Sequence, residues 1–164
     1  MLGQINITID GINTSQLIEW CPSEGYPNSV LRLITMKVEE LVSSIRRNEI
    51  VIPEFQREFV WNKSRSKELV NSLLNEYPVG GILIWKTENP PHLKGDKLDF
   101  ESENYRSYQV LLDGQQRATS LYMLTTGEVP PYYKEQEIGD DPRSLAFNLF
   151  SGELRYWNKT IMVS

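Results

Sequence analysis

The chain changes character abruptly between residues 110 and 124, and this constrains its fold more than any other feature. Val110-Leu111-Leu112 is apolar and suited to a buried strand, Asp113-Gly114-Gln115-Gln116-Arg117 is wholly polar, and Ala118 to Leu124 reads as a helix closed by Gly127. A buried strand cannot easily host five polar residues. They therefore belong where the chain leaves a sheet and enters a helix, a junction that calls for an α/β or α+β architecture.

Flanking segments extend that reading. Val38, Leu41, Val42 and Ile45 recur at i, i+3, i+4 and i+7, one face of a helix, with Glu39 and Glu40 early and Arg46 and Arg47 late, as the helix dipole favours. Ile50 to Ile52 is a short extended element ending at Pro53. A second helix begins at Asn62 or Ser64, carries Leu69, Val70, Leu73, Leu74 and Tyr77, and is stopped by Pro78. Gly80-Gly81 permits a sharp turn into the apolar run Ile82 to Trp85, a second buried strand. Residues 86–106 lack a period and read as an insertion loop. Leu145 to Leu149 and Leu154 to Trp157 flank Ser151-Gly152, a hairpin signature. Upstream, Ile5, Ile7 and Ile9 alternate with polar residues as a short strand or an arm adding to a sheet edge. Residues 22–28 form a loop, and Val30 to Ile34 a strand. The division is an N-terminal arm over 1–34 and one domain over 35–160.

Composition excludes several chemistries. Among 164 residues there is one cysteine, Cys21, and one histidine, His92. Zinc sites need several such ligands, and a cysteine–histidine nucleophile pair would run through a loop histidine beside Pro90-Pro91, where solvated polar residues are usual. No apolar run reaches bilayer length and no secretory signal opens the chain, so a cytoplasmic protein is expected. The net charge of −5 offers nucleic acid no global attraction, although Arg57, Lys63, Arg65 and Lys67 lie close together. That cluster reads equally as a solvated helix start.

Two constellations carry chemistry. In the first, Gly114 permits a close backbone approach, the following helix begins with unpaired N–H groups at its positive dipole end, and Arg117 adds a planar fork suited to phosphate. Asp113 suits a water-mediated metal ion or the orientation of Arg117, while Gln115 and Gln116 suit a base, a sugar or an attacking water. The competing reading is an Asp113 N-cap with a solvated polar first turn. The second constellation runs from Ile52 to Trp61, where Gln56-Arg57 sits between Phe55, Phe59 and Trp61. Gln56-Arg57 echoes Gln116-Arg117, so both pairs could serve one polyanion; the alternative is a loop pinned by its aromatics into the core.

The ordered series Ile52-Pro53-x-Phe55-Gln56-Arg57-x-Phe59-x-Trp61, then Tyr77-Pro78-x-Gly80, then Leu112-Asp113-Gly114-Gln115-Gln116-Arg117-x-Thr119-Ser120-Leu121 resembles the N-terminal domain of GmrSD-type restriction proteins. The resemblance covers about residues 35–157, including Phe147-Asn148-Leu149 with Gly152-Glu153-Leu154. It implies a fold similar to ParB and sulfiredoxin nucleotide-binding domains: a mixed sheet with flanking helices and a C-terminal hairpin. It also implies an NTP-binding module, NTP-hydrolysing in several members, within systems that restrict modified or foreign DNA. Nucleotide contacts then fall on Gln56, Arg57, Gly114, Arg117 and Thr119, with Asp113, Gln115 and Gln116 in catalysis and Mg²⁺ on Asp113. Ala118 stands where the family commonly has leucine. The His-Asn-His nuclease such proteins usually carry has no counterpart here, so a C-terminal nuclease domain or subunit is an expected partner. Alternative functions are a DNA-recognition module using Arg57, Trp61, Lys63, Arg65 and Lys67, and a ParB-like nuclease.

Overall fold

The computed structural model describes residues 4–8, 31–33, 36–95 and 108–157. Cys21, Ile9, the 22–28 loop and the 96–106 part of the insertion loop lie outside the described residues. The elements run β1 (Gln4–Thr8), β2 (Leu31–Leu33), α1 (Val38–Arg46), β3 (Ile50–Val51), α2 (Lys63–Leu74), β4 (Ile82–Thr87), β5 (Tyr108–Asp113), α3 (Gln115–Thr126), β6 (Leu145–Asn148) and β7 (Glu153–Tyr156). The main sheet has the order β2-β1-β4-β5-β3 and is mixed: β4 pairs antiparallel with β1 and β5, whereas β3 lies parallel to β5. Strands β6 and β7 form the separate hairpin that the sequence predicts.

The core sits where α1 and α3 meet strands β3, β4 and β5. Leu41, Val42 and Ile45 of α1 pack with Ile50, Ile84 and Leu111 of the sheet and with Leu121, Tyr122 and Met123 of α3, all buried. Helix α3 is the central element. Eight of its residues, Gln115, Gln116 and Ala118 to Met123, are buried, so it lacks the single apolar stripe of a surface helix. Its C-terminus follows the expected pattern: Gly127 adopts φ 73° and its N–H reaches the Met123 carbonyl at 2.9 Å.

The ends of α2 and β4 differ from the sequence reading. Helix α2 stops at Leu74 rather than running to Pro78; Asn75 caps it and Glu76 turns with φ 57°, leaving Leu74 and Tyr77 exposed. Periodicity alone could not reveal this, because the apolar positions continue past the point where the backbone leaves the helix. Strand β4 also extends through Thr87, shortening the insertion loop at its start.

The segment after α3 is fastened by one arginine. Arg143 contacts Glu135 and Asp141 at 2.7 Å each, and also donates to the Gly127 carbonyl. Hydrogen bonds from Arg143 hold both carboxyl groups below the usual carboxylate range. This network fixes the loop that presents Tyr132 and Tyr133 to the core.

Asn62 is the N-cap of α2, its side-chain oxygen accepting from the Arg65 N–H at 2.9 Å, whereas Ser64 bonds Glu68 at the surface. Asn62→Ala should therefore cost about 1 kcal/mol. Ser64→Ala should stay within about 0.5 kcal/mol of wild type. Urea denaturation of the two variants distinguishes the caps.

Candidate functional site

Strand β5 ends at Asp113 and α3 begins at Gln115, so the polar run forms the junction expected of it. The helix starts three residues earlier than its apolar pattern suggests, drawing Gln115, Gln116 and Arg117 into its first turn. Gly114, not Asp113, is the N-cap. It sits at φ 87° and supplies no side-chain capping bond. A Cβ there would lie 3.0 Å from Ile82 Cγ1 and 3.3 Å from Arg117 Nη2, so glycine is required for conformation and for space. Asp113 is exposed and its nearest charged partner is Arg117, at 3.5 Å.

Gln115 and Gln116 occupy a different environment from the one their polarity suggests. Both are buried, at 4% and 6% exposure, and their amides bond the main chain of the Phe55–Trp61 segment. Gln116 Oε1 accepts from the N–H groups of Val60 at 2.9 Å and Trp61 at 3.1 Å, while its Nε2 donates to the Glu58 carbonyl at 2.9 Å. Gln115 Nε2 donates to the Arg57 carbonyl at 2.9 Å and to the Tyr133 hydroxyl. Gln56 reciprocates, donating from Nε2 to the Leu112 carbonyl at 2.8 Å. The two constellations do meet, through main-chain clamps rather than by directing all their polar heads outward. Neither α3 glutamine faces solvent, which corrects the expectation that they present free amides to a base or a water. Thr119 is also internal: it is fully buried and its hydroxyl lies 3.2 Å from that of Tyr132.

Arg117 is different. Its Nη2 donates to the Gly81 carbonyl, and its guanidinium lies over the turn at Gly80, where a Cβ would come within 3.4 Å of Nη1. Buried Nε has no hydrogen-bond partner among the described residues. Arg57 is exposed, with its main chain tied to Gln115. Arg117, an uncapped helix start and the Gly80-Gly81 and Gly114 turns thus converge on one spot.

The basic cluster on α2 is partly neutralised, at Lys63. Lys63 Nζ lies 3.6 Å from Asp140 and 5.7 Å from the Tyr156 ring centroid, and Lys67 acts electrostatically on Glu153. Arg65 and Lys67 are exposed, and Trp61 is half-buried against the core. Asp140 offsets the charge of Lys63, one of the residues expected to meet DNA phosphates.

Two cavities border these elements. The one beside Arg117 and Lys37 is lined mainly by apolar groups, including Leu41, Leu69 and Val79, and holds only about 20 Å³, room for about one water. A cavity of about 530 Å³ lies behind the Phe55–Trp61 segment, between Glu54, Glu58, Lys94, Tyr133, Lys134 and Glu137. Carboxylates outnumber ammonium groups there, the reverse of what a polyphosphate needs. Among the described residues no group of three or more His, Cys, Asp or Glu side chains could hold a metal ion, and no helix is long and apolar enough to cross a membrane. Tyr132 and Tyr133 were not singled out in the sequence; adjacent aromatics beside Pro130-Pro131 were the available signal.

Fold and junction together define a mixed α/β domain whose central helix carries a polar motif at its N-terminus. The profile of the family described as GmrSD restriction endonuclease, N-terminal domain, matches residues 38–160, about three quarters of the chain, and the chain belongs to that family. It is also 37% identical over 95 residues to an uncharacterized protein of Methanocaldococcus jannaschii, an alignment covering 54% of this chain and 16% of that relative. No solved structure matches the chain.

Gln116→Leu would leave the part-buried Val60 and Trp61 N–H groups and the Glu58 carbonyl without the Gln116 amide. It should cost about 1–3 kcal/mol, measurable by urea denaturation. Burial is the main cause that raises the Tyr132 phenol well above its ordinary value, with the Thr119 hydroxyl bond opposing it. The folded state thus favours the neutral form. The associated stability is intact below the ordinary tyrosine value near ~10 and is lost as pH rises from there toward the raised folded value. The melting temperature should fall above about pH 10, and Tyr132→Phe should flatten that fall.

Proposed function

We propose that this domain binds the polyphosphate of a nucleotide at the β5–α3 junction, as the nucleotide-responsive part of a restriction protein that acts with a nuclease part on DNA. The observation that carries this reading is the placement of Arg117. Its guanidinium rests between two glycine turns at an uncapped helix N-terminus, with a donor that no described group satisfies. A helix start and an arginine fork are complementary to phosphate in charge and in geometry, and the absence of side chains at Gly80, Gly81 and Gly114 permits close approach.

In this reading Arg117 and the first N–H groups of α3 hold phosphate oxygens, and Arg57 adds a second cationic arm from the clamped segment. Gln56, Gln115 and Gln116 position that segment. Asp113, an exposed carboxylate at the edge of the site, fits Mg²⁺, which commonly binds through one or two carboxylates together with substrate phosphates. The ion would offset phosphate charge. The resemblance to ParB and sulfiredoxin nucleotide-binding domains, in which a nucleotide would be held by a turn following a strand, supports the reading at the β5–α3 turn of this mixed sheet. The base, and whether hydrolysis follows binding, depend on groups beyond this junction; the small apolar cavity beside Arg117 has no room for a base.

Thermal shift with the four NTPs, with and without Mg²⁺, tests the proposal. Binding should raise the melting temperature of wild type. Arg117→Ala should abolish the shift, since a charge-assisted hydrogen bond contributes about 1.5–3 kcal/mol. An undiminished shift in that variant would falsify the assignment.

A further inference from the structure

Tyr133 occupies an unusual position for a residue of a surface loop. Its hydroxyl donates to the Arg57 carbonyl at 3.3 Å and accepts from Gln115 Nε2, which itself donates to the same carbonyl at 2.9 Å. Three groups from three distant parts of the chain therefore close a triangle: the strap carrying Arg57, the first residue of α3, and the segment after α3. The ring is fixed as well. Tyr132 meets it edge to face at 5.3 Å, and the Lys94 ammonium lies 5.2 Å from its centroid while pairing with Glu58 at 2.7 Å. Glu58 follows Arg57 in the strap, so the contact reaches the same backbone by a second route.

We propose that Tyr133 is a positioning residue of the phosphate site, its phenol holding the Arg57 main chain against Gln115 and so setting where the Arg57 side chain stands relative to the N-terminus of α3. The inference rests on the phosphate reading of the β5–α3 junction. It assigns a role to the strap that the aromatic residues within it do not fill. Phe59 is buried and anchors the strap's far end, and Phe55 is 73% exposed and anchors nothing among the described residues. Between them, the hydrogen bonds that reach Arg57 among the described residues are to its carbonyl, from Gln115 and Tyr133. Burial, and next the charge of Glu58, raise the phenol well above its ordinary value, so it stays a hydrogen-bond donor throughout the physiological range.

Tyr133→Phe removes the hydroxyl while keeping the ring against Tyr132 and Lys94. In the full 164-residue chain, two measurements decide the inference. Hydrogen–deuterium exchange over residues 55–61 should quicken in Tyr133→Phe with little change in melting temperature. Calorimetry with ATP, or with inorganic tripolyphosphate as a base-free probe, should show roughly three- to tenfold weaker binding, as one lost neutral hydrogen bond implies. Combined with Arg57→Ala, the loss should be less than the product of the two single effects, because a phenol acting through Arg57 has nothing left to position. Unchanged exchange, or fully multiplicative losses in the double variant, overturns the positioning role while leaving the phosphate site intact. Wild type that binds neither probe, or an Arg117→Ala variant that binds both normally, overturns the phosphate reading itself and this inference with it.

Discussion

Everything around the β5–α3 junction depends on the cost of burying an amide. An unpaired amide in an apolar interior costs several kcal/mol, enough to threaten a domain of this size. Gln115 and Gln116 are at the start of α3, the most buried helix among the described residues, so each must find partners, and these are main-chain groups of residues 57–61 and the Tyr133 hydroxyl. The requirement runs both ways. A strap with no strand neighbour would leave its own N–H and carbonyl groups unpaired beside the core, and the two glutamines stand in for the missing strand. Helix, strap and junction therefore form one unit.

That reciprocity separates the legible from the illegible in the sequence. The element types, the hairpin, the Gly127 cap and the strand–turn–helix junction could be read locally, since apolar period and glycine placement act over a few residues. The proximity of Gln56-Arg57 to Gln115-Gln116 could be suspected from the repeated residue types. What the glutamines bond could not be read, because a polar residue at a helix start looks the same whether it faces solvent or a buried strap. Burial of α3 on nearly all sides decides the matter, and it arises from the packing of α1, the sheet and the 130–138 segment together. Thr119 was misread for the same reason, and Tyr133 was overlooked because its partners lie 18 and 76 residues away in the chain.

Charge shows a similar contrast. Lys63, Arg65 and Lys67 look like a basic face when counted along the chain, yet folding brings Asp140 and Glu153 beside them. Arg117 has one exposed carboxylate at 3.5 Å, donates to the Gly81 carbonyl, and borders an apolar cavity on its other side. A single arginine set between glycine turns is a more selective feature than a cluster of which Lys63 is already paired with Asp140.

The cradle is set by strand pairing. Leu83 of β4 stands opposite Asp113 of β5, which brings the Gly80-Gly81 turn alongside Gly114 and lets Arg117 reach the Gly81 carbonyl across it. The arginine is thereby aimed by main chain on both sides and inherits its direction from the register of two strands. The register irregularity between Leu83 and Ile84, beside this cradle, adjusts the alignment locally, so the pleat of the sheet acts as the vernier for a charge that no neighbouring side chain holds firmly.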